Sequence, residues 1–269
     1  MTDEAVSPPV AAPKPARSDE SLKSLTKVAR VLDCFSTSQR ALSLADICAS
    51  TGYPRSTTHR LLTAMREVGF VEQDHERDQY RLGLRLFELG NIVLANLELH
   101  REGRAIVDAL HRLTGRAVHL AVFDGLRAVV IQRTESQVDG GMPITMVENS
   151  PAYCTSVGKA ILAYQPPTIL QRVINAGLQR FTETTITDPA VLEQELAMTR
   201  ERGYAIDNGE HQPGLRCVGA PIRNQSGGVF AGISVSAPAW QFRATEVEEI
   251  NQVVIYHANL ISQRLGYSR

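Results

Sequence analysis

Residues 42–74 read LSLADICASTGYPRSTTHRLLTAMREVGFVEQD, and this stretch decides how the first part of the chain folds. Its pattern predicts two short helices joined by a tight turn and followed by a strand. Ser43 and, three residues later, Asp46 form a capping pair for the first helix. Gly52 tolerates the left-handed backbone with which a helix ends. Pro54 is expected to begin the second helix, because the first turn does not need its missing N–H.

The second helix of this segment begins with six polar residues in a row, RSTTHR. A helix that only packs in a core rarely starts in this way, whereas a helix whose N-terminal turns enter a DNA major groove does. Its buried side is expected to come from Leu61, Leu62 and Met65. The residues that we expect to contact double-stranded DNA are Arg55, Ser56, Thr57, His59 and Arg60.

The flanking segments complete a winged helix-turn-helix domain over residues 21–84. Upstream, apolar residues at helical spacing predict a third helix, and they are Leu25, Val28, Leu32 and Phe35. Downstream, two β-type segments on either side of residues 75–79 predict a hairpin, the wing. The alternative is a three-helix module with a solvated polar face.

Charge is concentrated in this first domain. The whole chain has a formal net charge of −1, which argues against a bulk nucleic-acid coat or a polybasic membrane binder. Residues 21–66, however, contain seven basic and two acidic side chains, a local charge of +5. Such a local excess is the expected footprint of contacts with DNA phosphates.

Length and composition limit the remaining architecture. A chain of 269 residues predicts two domains. Residues 1–20 are expected to be a disordered Pro/Ala-rich tail without the apolar run of a signal peptide. No segment reaches the roughly 18 uninterrupted apolar residues of a membrane span. The four cysteines have no paired spacing and fit reduced thiols. We therefore expect a cytoplasmic protein with no membrane partner.

Residues 84–100, LRLFELGNIVLANLELH, predict one long amphipathic helix that links the two domains over 85–101. Its apolar positions recur at helical spacing and are Leu86, Leu89, Val93 and Leu97. One neighbouring domain does not need this much apolar surface, so the helix is a candidate for contacts with a second subunit. An ordinary core helix fits the same pattern equally well.

The remaining residues, 102–269, alternate between helical and strand patterns. Helices are expected over 104–114, 156–163, 167–176, 189–202 and 244–265. Strands are expected over 117–123, 128–133, 217–223 and 229–237, with turns at residues 124–125 and 225–228. An antiparallel sheet with helices segregated around it is an α+β, sensor-like fold.

Five motifs, in this order, resemble the IclR family of transcription regulators over residues 21–266. They are PRSTTHRLLTAMREVGFV, YRLGLRLFELG, SPAYCTSVGKAILA, GYAIDNGEHQPGLRCVGAPIRN and GGVFAGISVSAP. The resemblance implies a winged-helix N-terminal domain, a GAF-like C-terminal effector-binding domain, and a homodimer or homotetramer. It also implies a regulator of a catabolic operon, not an enzyme, controlled by a small organic or aromatic acid.

The resemblance further assigns an effector pocket, position by position. Its residues are Ser156, Val157, Asp207, Leu215, Cys217, Ser234 and Ser236. Ser156 and Val157 stand where a helix begins, so free backbone N–H groups can hold a carboxylate. Ser234 and Ser236 are two apart on a strand, so both hydroxyls face the same side. Each residue alone is more typical of an ordinary turn or strand, but their joint occurrence indicates a site.

This sequence departs from the family pattern close to the pocket. The family often has two acids after the aspartate, and here the loop reads Asn208-Gly209-Glu210. His119 and Tyr153 are expected near the pocket, where they would stack on or donate to an aromatic acid, or else be core residues. We therefore favour an aromatic or hydroxylated acid over a two-carbon acid as the effector.

Spacing argues against two other kinds of site. The motif TSVGKA lacks the first glycine of a phosphate-binding loop, where Tyr153 stands, and its hydroxyl, where Ala160 stands, so no nucleotide cofactor is expected. A zinc site would have to draw on His119, Cys154, Asp207, His211 and Cys217, and these show no ligand spacing.

Two rival functions stay open on the sequence. One is an enzyme with Cys217 as nucleophile and His211 as base. This function does not explain why the chain carries a winged helix. The other is a redox-sensing regulator in which Cys154 and Cys217 pair.

Overall fold

The computed structural model describes residues 18–36, 38–74, 78–134, 149–242 and 244–268. The chain divides into two compact units, one ending at Asn91 and the other beginning at Ile92. Residues 1–17 of the predicted tail lie outside the described residues. Residues 18–20, the last three of the tail predicted over 1–20, belong to the first helix.

Three helices form the body of the N-terminal unit, α1 (Ser18–Leu32), α2 (Leu44–Thr51) and α3 (Arg55–Glu67). The predicted capping pair is confirmed, because the Ser43 hydroxyl accepts from the Asp46 N–H and the Asp46 carboxylate accepts from the Ser43 N–H. Gly52, with φ 71°, ends α2 as expected. Pro54 precedes α3 instead of beginning it, since its ψ of 145° is extended and not helical.

The core of the N-terminal unit is closed by a small sheet of β1 (Leu42–Ser43), β2 (Val71–Asp74) and β3 (Gln79–Leu82), in the order β1-β3-β2. Strands β2 and β3 pair antiparallel and form the predicted wing, whose residues 75–77 lie outside the described residues. The predicted third helix is α1, in which Val31 is fully buried and Leu25 is 70 % exposed.

The predicted linker helix is interrupted. Helix α4 (Leu84–Asn96) and helix α5 (Glu98–Thr114) replace the helices expected over 84–100 and 104–114, and the extended backbone of Leu97 separates them. Gly103 lies inside α5, although a helix break was expected near it. A Cβ at this position would come within 2.7 Å of the Leu120 side chain, so the glycine allows α5 to pack closely on the sheet.

The C-terminal unit is built on a six-stranded antiparallel sheet in the order β6-β5-β4-β9-β8-β7. Its strands are β4 (Ala117–Phe123), β5 (Arg127–Arg133), β6 (Asn149–Pro151), β7 (Ala205–Asn208), β8 (Leu215–Arg223) and β9 (Val229–Pro238). The four predicted strands are confirmed with small shifts at their ends. Strands β6 and β7 were missed, because each is short and ends in residues that strands disfavour.

Helices cover both faces of this sheet. They are α5 together with α6 (Ser156–Leu162), α7 (Pro167–Asn175), α8 (Pro189–Arg202) and α9 (Ala244–Arg264). Asp188 caps α8 as predicted, accepting from the N–H groups of Ala190 and Val191. Helices α5 and α9 share an apolar core with one face of the sheet, which includes Leu120 and Ile233. Within the described ranges, no helix is long and apolar enough to cross a membrane.

Candidate DNA-binding surface and effector site

Helix α3 presents the predicted DNA-contacting residues to solvent. Arg55, Ser56, His59 and Arg60 are exposed, and Thr57 is half-buried. The opposite side of the helix packs into the core of the unit through the buried residues Thr58, Leu61, Leu62 and Met65. The helix therefore has an apolar side that fixes it and a polar side that faces outward.

The polar side of α3 is not neutralised by neighbouring residues. Among the described residues, the side chains of Arg55, His59 and Arg60 make no hydrogen bond or ion pair. Thr58 differs from them, because it is fully buried and its hydroxyl donates to the Pro54 carbonyl at 3.2 Å. Unpaired cationic side chains on a helix can pair with phosphates or with base edges in a groove.

The strand residues of the predicted effector site share one face of the C-terminal sheet. Asp207 lies opposite Cys217, and Cys217 lies opposite Ser236, in the register of β7, β8 and β9. Directly opposed residues of antiparallel strands point to the same side, as do residues two apart on one strand, which adds Leu215 and Ser234. All seven predicted residues, including Ser156 and Val157, are at most 7 % exposed.

Two glycines bring the start of α6 onto this face. A Cβ on Gly219 of β8 would lie 2.7 Å from the Ser156 carbonyl and from the Val157 nitrogen. A Cβ on Gly232 of β9 would lie 2.9 Å from the Val157 side chain. Any larger residue at either position would push α6 away from the sheet. The sheet and the helix start thus bring the seven predicted residues into one buried region.

His119 also faces this region, as the sequence suggested. It lies on β4 directly opposite Ser234, and its Nδ1 is 3.4 Å from the Ser236 hydroxyl. Burial, aided by the positive charge of Arg133, lowers the pKa of His119 to about 4, so the ring is neutral at physiological pH. The Ser234 hydroxyl is fully buried and has no hydrogen-bond partner among the described residues.

Asp207 marks the end of β7 and the start of the following loop. Its carboxylate accepts from the backbone N–H of Glu210 at 2.7 Å. Burial raises the pKa of Asp207 to about 7, against the opposing effect of this hydrogen bond. The carboxyl group is therefore partly protonated at neutral pH and can donate as well as accept.

A buried ion network beside the site was missed in the sequence. Lys159 of α6 is 1 % exposed and donates to Glu210 at 2.5 Å. Its Nζ also lies 3.5 Å from Glu195 of α8, which in turn accepts from Arg202 at 2.7 Å. The network ties the loop after β7 to α6 and α8. Its sequence signal is a lysine inside VGKAIL, a segment whose other side chains are all apolar.

Gly158, the neighbour of this lysine, has a packing role. A Cβ there would lie 2.5 Å from the Cα of Ala152, so only glycine fits against the preceding turn. Tyr153 of that turn is buried, and its hydroxyl donates to the Gln179 carbonyl at 2.7 Å. Of the two roles considered for Tyr153, the structure thus favours the core residue over a ligand contact.

The thiols lack the properties that the rival functions need. Cys154 and Cys217 are free and buried, and burial raises the pKa of both thiols above its ordinary value. A protonated, enclosed thiol is a poor nucleophile and a poor redox sensor. His211, the suggested base, packs its ring on Phe181 with the centroids 4.9 Å apart. Across the described part of the chain, no three His, Cys, Asp or Glu side chains cluster as metal ligands.

Family models match both units. The model for the IclR helix-turn-helix domain matches residues 24–75, and the model for the bacterial transcriptional regulator IclR C-terminal domain matches residues 91–263. The chain belongs to the IclR family. It is a DNA-binding transcription regulator with a C-terminal ligand-binding domain, so the predicted fold class is confirmed, as is the prediction of a regulator instead of an enzyme.

Relatives match this IclR-family chain over most of its length. The transcriptional regulator KdgR of Escherichia coli is 32% identical over 92% of this chain and 94% of its own. The acetate operon repressor of Salmonella typhimurium is 32% identical over 92% of both chains. The structure of an IclR homolog from Microbacterium hydrocarbonoxydans, complexed with 4-hydroxybenzoate, matches with a TM-score of 0.75 and 26% identity, over 90% of this chain and 98% of that one.

Proposed function

We propose that this IclR-family regulator controls a catabolic operon and that a small organic or aromatic acid, bound in the C-terminal unit, changes its affinity for the operator. The observation that carries this proposal is the enclosed set of polar groups between α6 and the sheet. Buried polar groups normally have partners. An unpartnered, fully buried Ser234 hydroxyl in such a set is accounted for by a small molecule that completes its hydrogen bonding.

In this proposal, residues 21–84 form the DNA-binding domain and α3 enters the major groove. Arg55, Ser56, Thr57, His59 and Arg60 contact bases and phosphates. Their exposure and the +5 charge of residues 21–66 support this role. Arginine can bond to a guanine through two donors, which makes Arg60 the residue with the most to contribute to specificity.

The effector is held by two parts of the site. Backbone N–H groups of Ser156 and Val157 hold its carboxylate, while Asp207, Ser234 and Ser236 bond to its polar groups. Leu215 and Cys217 supply apolar walls. Two similar proteins support an acid, since one is an acetate operon repressor and another was crystallised with 4-hydroxybenzoate.

The proposal includes assembly into a homodimer or homotetramer. Residues 85–101 link the DNA-binding domain to an effector domain that starts at residue 102. One winged helix covers one half-site, so specific binding needs at least two modules at a fixed spacing. Helix α4 exposes large apolar side chains that a second subunit would cover, namely Leu84, Phe87, Leu89, Ile92 and Val93. Leu86 and Leu97, also assigned to this contact, are half-buried.

The main experiment separates operator binding from the effector response. A candidate acid that releases wild-type protein from its operator is titrated against a variant carrying Ser234→Ala and Ser236→Ala. The variant should bind the operator as wild type does and should no longer respond, because both changes lie in the C-terminal unit and remove the hydroxyls. A variant that responds at wild-type effector concentrations would refute the site assignment.

The assembly is tested with Leu89→Glu. A charge at the centre of the exposed apolar stretch should shift the sedimentation of the protein towards the monomer and weaken specific DNA binding with it. The matched control is Glu88→Gln, the adjacent residue, which should alter neither. Wild type that sediments as a monomer at concentrations where it binds the operator tightly would contradict the proposal.

A further inference from the structure

We infer that His119 and Ser234 together select an effector that carries a hydroxyl group in addition to its carboxylate. The inference rests on the proposed function, in which an organic acid binds against β4, β8 and β9. It adds a residue, His119, that recognises one chemical group of that acid.

The first support is position. Ser234 on β9 has His119 of β4 as its cross-strand neighbour on one side and Gly219 of β8 on the other. The glycine offers no side chain, so His119 is the polar side chain that flanks Ser234 directly across the sheet. Because opposed residues share a face, the imidazole and the Ser234 hydroxyl point to the same side as Asp207 and Cys217.

The second support is the state of the two groups. The Ser234 hydroxyl is 0 % exposed and unpartnered. Among the described residues, the His119 ring makes one hydrogen bond, from its Nδ1, and that bond to Ser236 is long at 3.4 Å. A buried polar group without a partner is destabilising, and a bound group that supplies the partner removes that cost. Both residues therefore have bonding capacity that a ligand can use.

The third support is the charge of these groups. His119 is neutral, and burial keeps the Cys217 thiol protonated, so both groups, like the two serine hydroxyls, can donate as well as accept. A ligand hydroxyl has the same double character and matches this part of the site. A second carboxylate can only accept hydrogen bonds, and Ser234, Ser236 and the neutral His119 offer it no positive charge. The charged groups nearby are Arg133, which acts on His119, and Lys159 and Glu210, which act on Asp207.

One test needs no effector. Ser234→Ala removes a hydroxyl that lacks a partner, so the melting temperature of the full-length protein without ligand should rise, by about 2–4 °C. Ser236→Ala is the matched control on the same strand, and it should lower the melting temperature because its hydroxyl bonds to His119. If Ser234→Ala lowers the melting temperature as much as Ser236→Ala does, the Ser234 hydroxyl has a partner in the protein and the inference is wrong.

The second test measures affinity by calorimetry for matched pairs of acids, benzoate with 4-hydroxybenzoate and propionate with lactate. In at least one pair the hydroxylated acid should bind wild type about tenfold more tightly, the factor that one added hydrogen bond contributes. His119→Phe keeps the ring bulk and should abolish this preference. His211→Phe, a ring replacement in a residue that packs on Phe181, should keep it.

The outcomes separate the inference from the proposed function. If in both pairs the plain acid binds as tightly as its hydroxylated partner, or if benzene-1,4-dicarboxylate binds more tightly than 4-hydroxybenzoate, the inference fails and an acid-binding site remains. A preference that survives His119→Phe also overturns it. If none of these acids binds at about 10 mM, a concentration that detects binding as weak as about −3 kcal/mol, the proposed acid effector fails, and the inference with it.

Discussion

The two units hold their candidate binding residues in opposite ways. On α3 of the N-terminal unit, Arg55, His59 and Arg60 stand in solvent without partners among the described residues. In the C-terminal unit, the seven candidate residues are at most 7 % exposed, and the charged group beside them, Lys159, is paired with Glu210. One surface is thus open to a large polyanion, while the other region is shielded from solvent.

The difference shows how partner size determines where polar groups are placed. A DNA duplex cannot enter a protein, so the residues that bind it have to be carried outward on a helix whose other side fills the core. A small acid gains most from groups that are shielded from water, where each hydrogen bond and charge acts more strongly. The enclosed arrangement has a cost, because every buried charge then needs a partner.

The largest effect is expected for the buried ion network. Lys159→Met leaves the Glu210 carboxylate buried without its cation and should lower the free energy of unfolding by about 3–5 kcal/mol. Urea unfolding followed by far-UV circular dichroism measures this loss. Adding Glu210→Gln should recover part of the loss.

The control for this prediction lies in the other unit. Arg81 and Glu72 of the wing form an ion pair at 3.3 Å whose side chains are 58% and 43% exposed. Solvent screens such a pair, so Arg81→Ala should change stability by at most about 1 kcal/mol. Equal losses of stability for Lys159→Met and Arg81→Ala would show that burial does not make the Lys159 network more important than the exposed ion pair.

An intermediate effect is expected on DNA binding. Arg60→Ala should weaken operator binding by about 1–3 kcal/mol if Arg60 reads a guanine, with little loss on unrelated DNA. If it contacts only a phosphate, binding should weaken on all sequences and the slope of affinity against salt should fall by about one. Fluorescence anisotropy at several salt concentrations distinguishes the two. Affinity and slope both equal to wild type would remove α3 from the interface.

The smallest effect concerns pH. The pKa of Asp207 is raised to about 7, and an anionic effector beside it would favour the protonated carboxyl still further. Affinity for such an acid should therefore fall by about tenfold as the pH rises from 6 to 8, since the ionised carboxylate repels the ligand. Asp207→Asn should abolish this slope. His119→Phe should keep it, because the pKa of His119, at about 4, lies below this range. Calorimetry at the two pH values that shows an unchanged slope in Asp207→Asn would assign the titration to another group.

The raised pKa of Asp207 also makes the stability of the protein depend on pH. Between the ordinary pKa of an aspartate and about 7, the folded protein holds a proton on Asp207 that the unfolded chain has lost, so stability falls as the pH rises through this window. Asp207→Asn should therefore stabilise the protein more at pH 8 than at pH 5, and it should have little effect below about pH 4, where the unfolded aspartate is protonated as well. The amide oxygen can still accept from the Glu210 N–H.

Local patterns predicted the N-terminal unit well and the connection to the second unit poorly. The Ser43–Asp46 cap and the wing depend on residues close together in the chain, and both are present. The break at Leu97 and the continuation of α5 through Gly103 were not predicted. Gly103 lies within the helix because its missing side chain allows close packing against Leu120. Glycine in a sequence looks the same whether it ends a helix or lets it approach a sheet.

The sequence by itself determined most of the helices and strands and the charged first domain, since periodicity and capping act over a few residues. The seven residues of the candidate effector site came from the resemblance to the IclR family. Only the tertiary structure decided which of them are buried together. Lys159 meets Glu210 across 51 positions, and His119 meets Ser236 across 117. Strand register and close packing at Gly219 create these contacts, and with them the pKa shifts and the unpartnered Ser234 hydroxyl, because burial depends on the whole fold and not on neighbours in the chain.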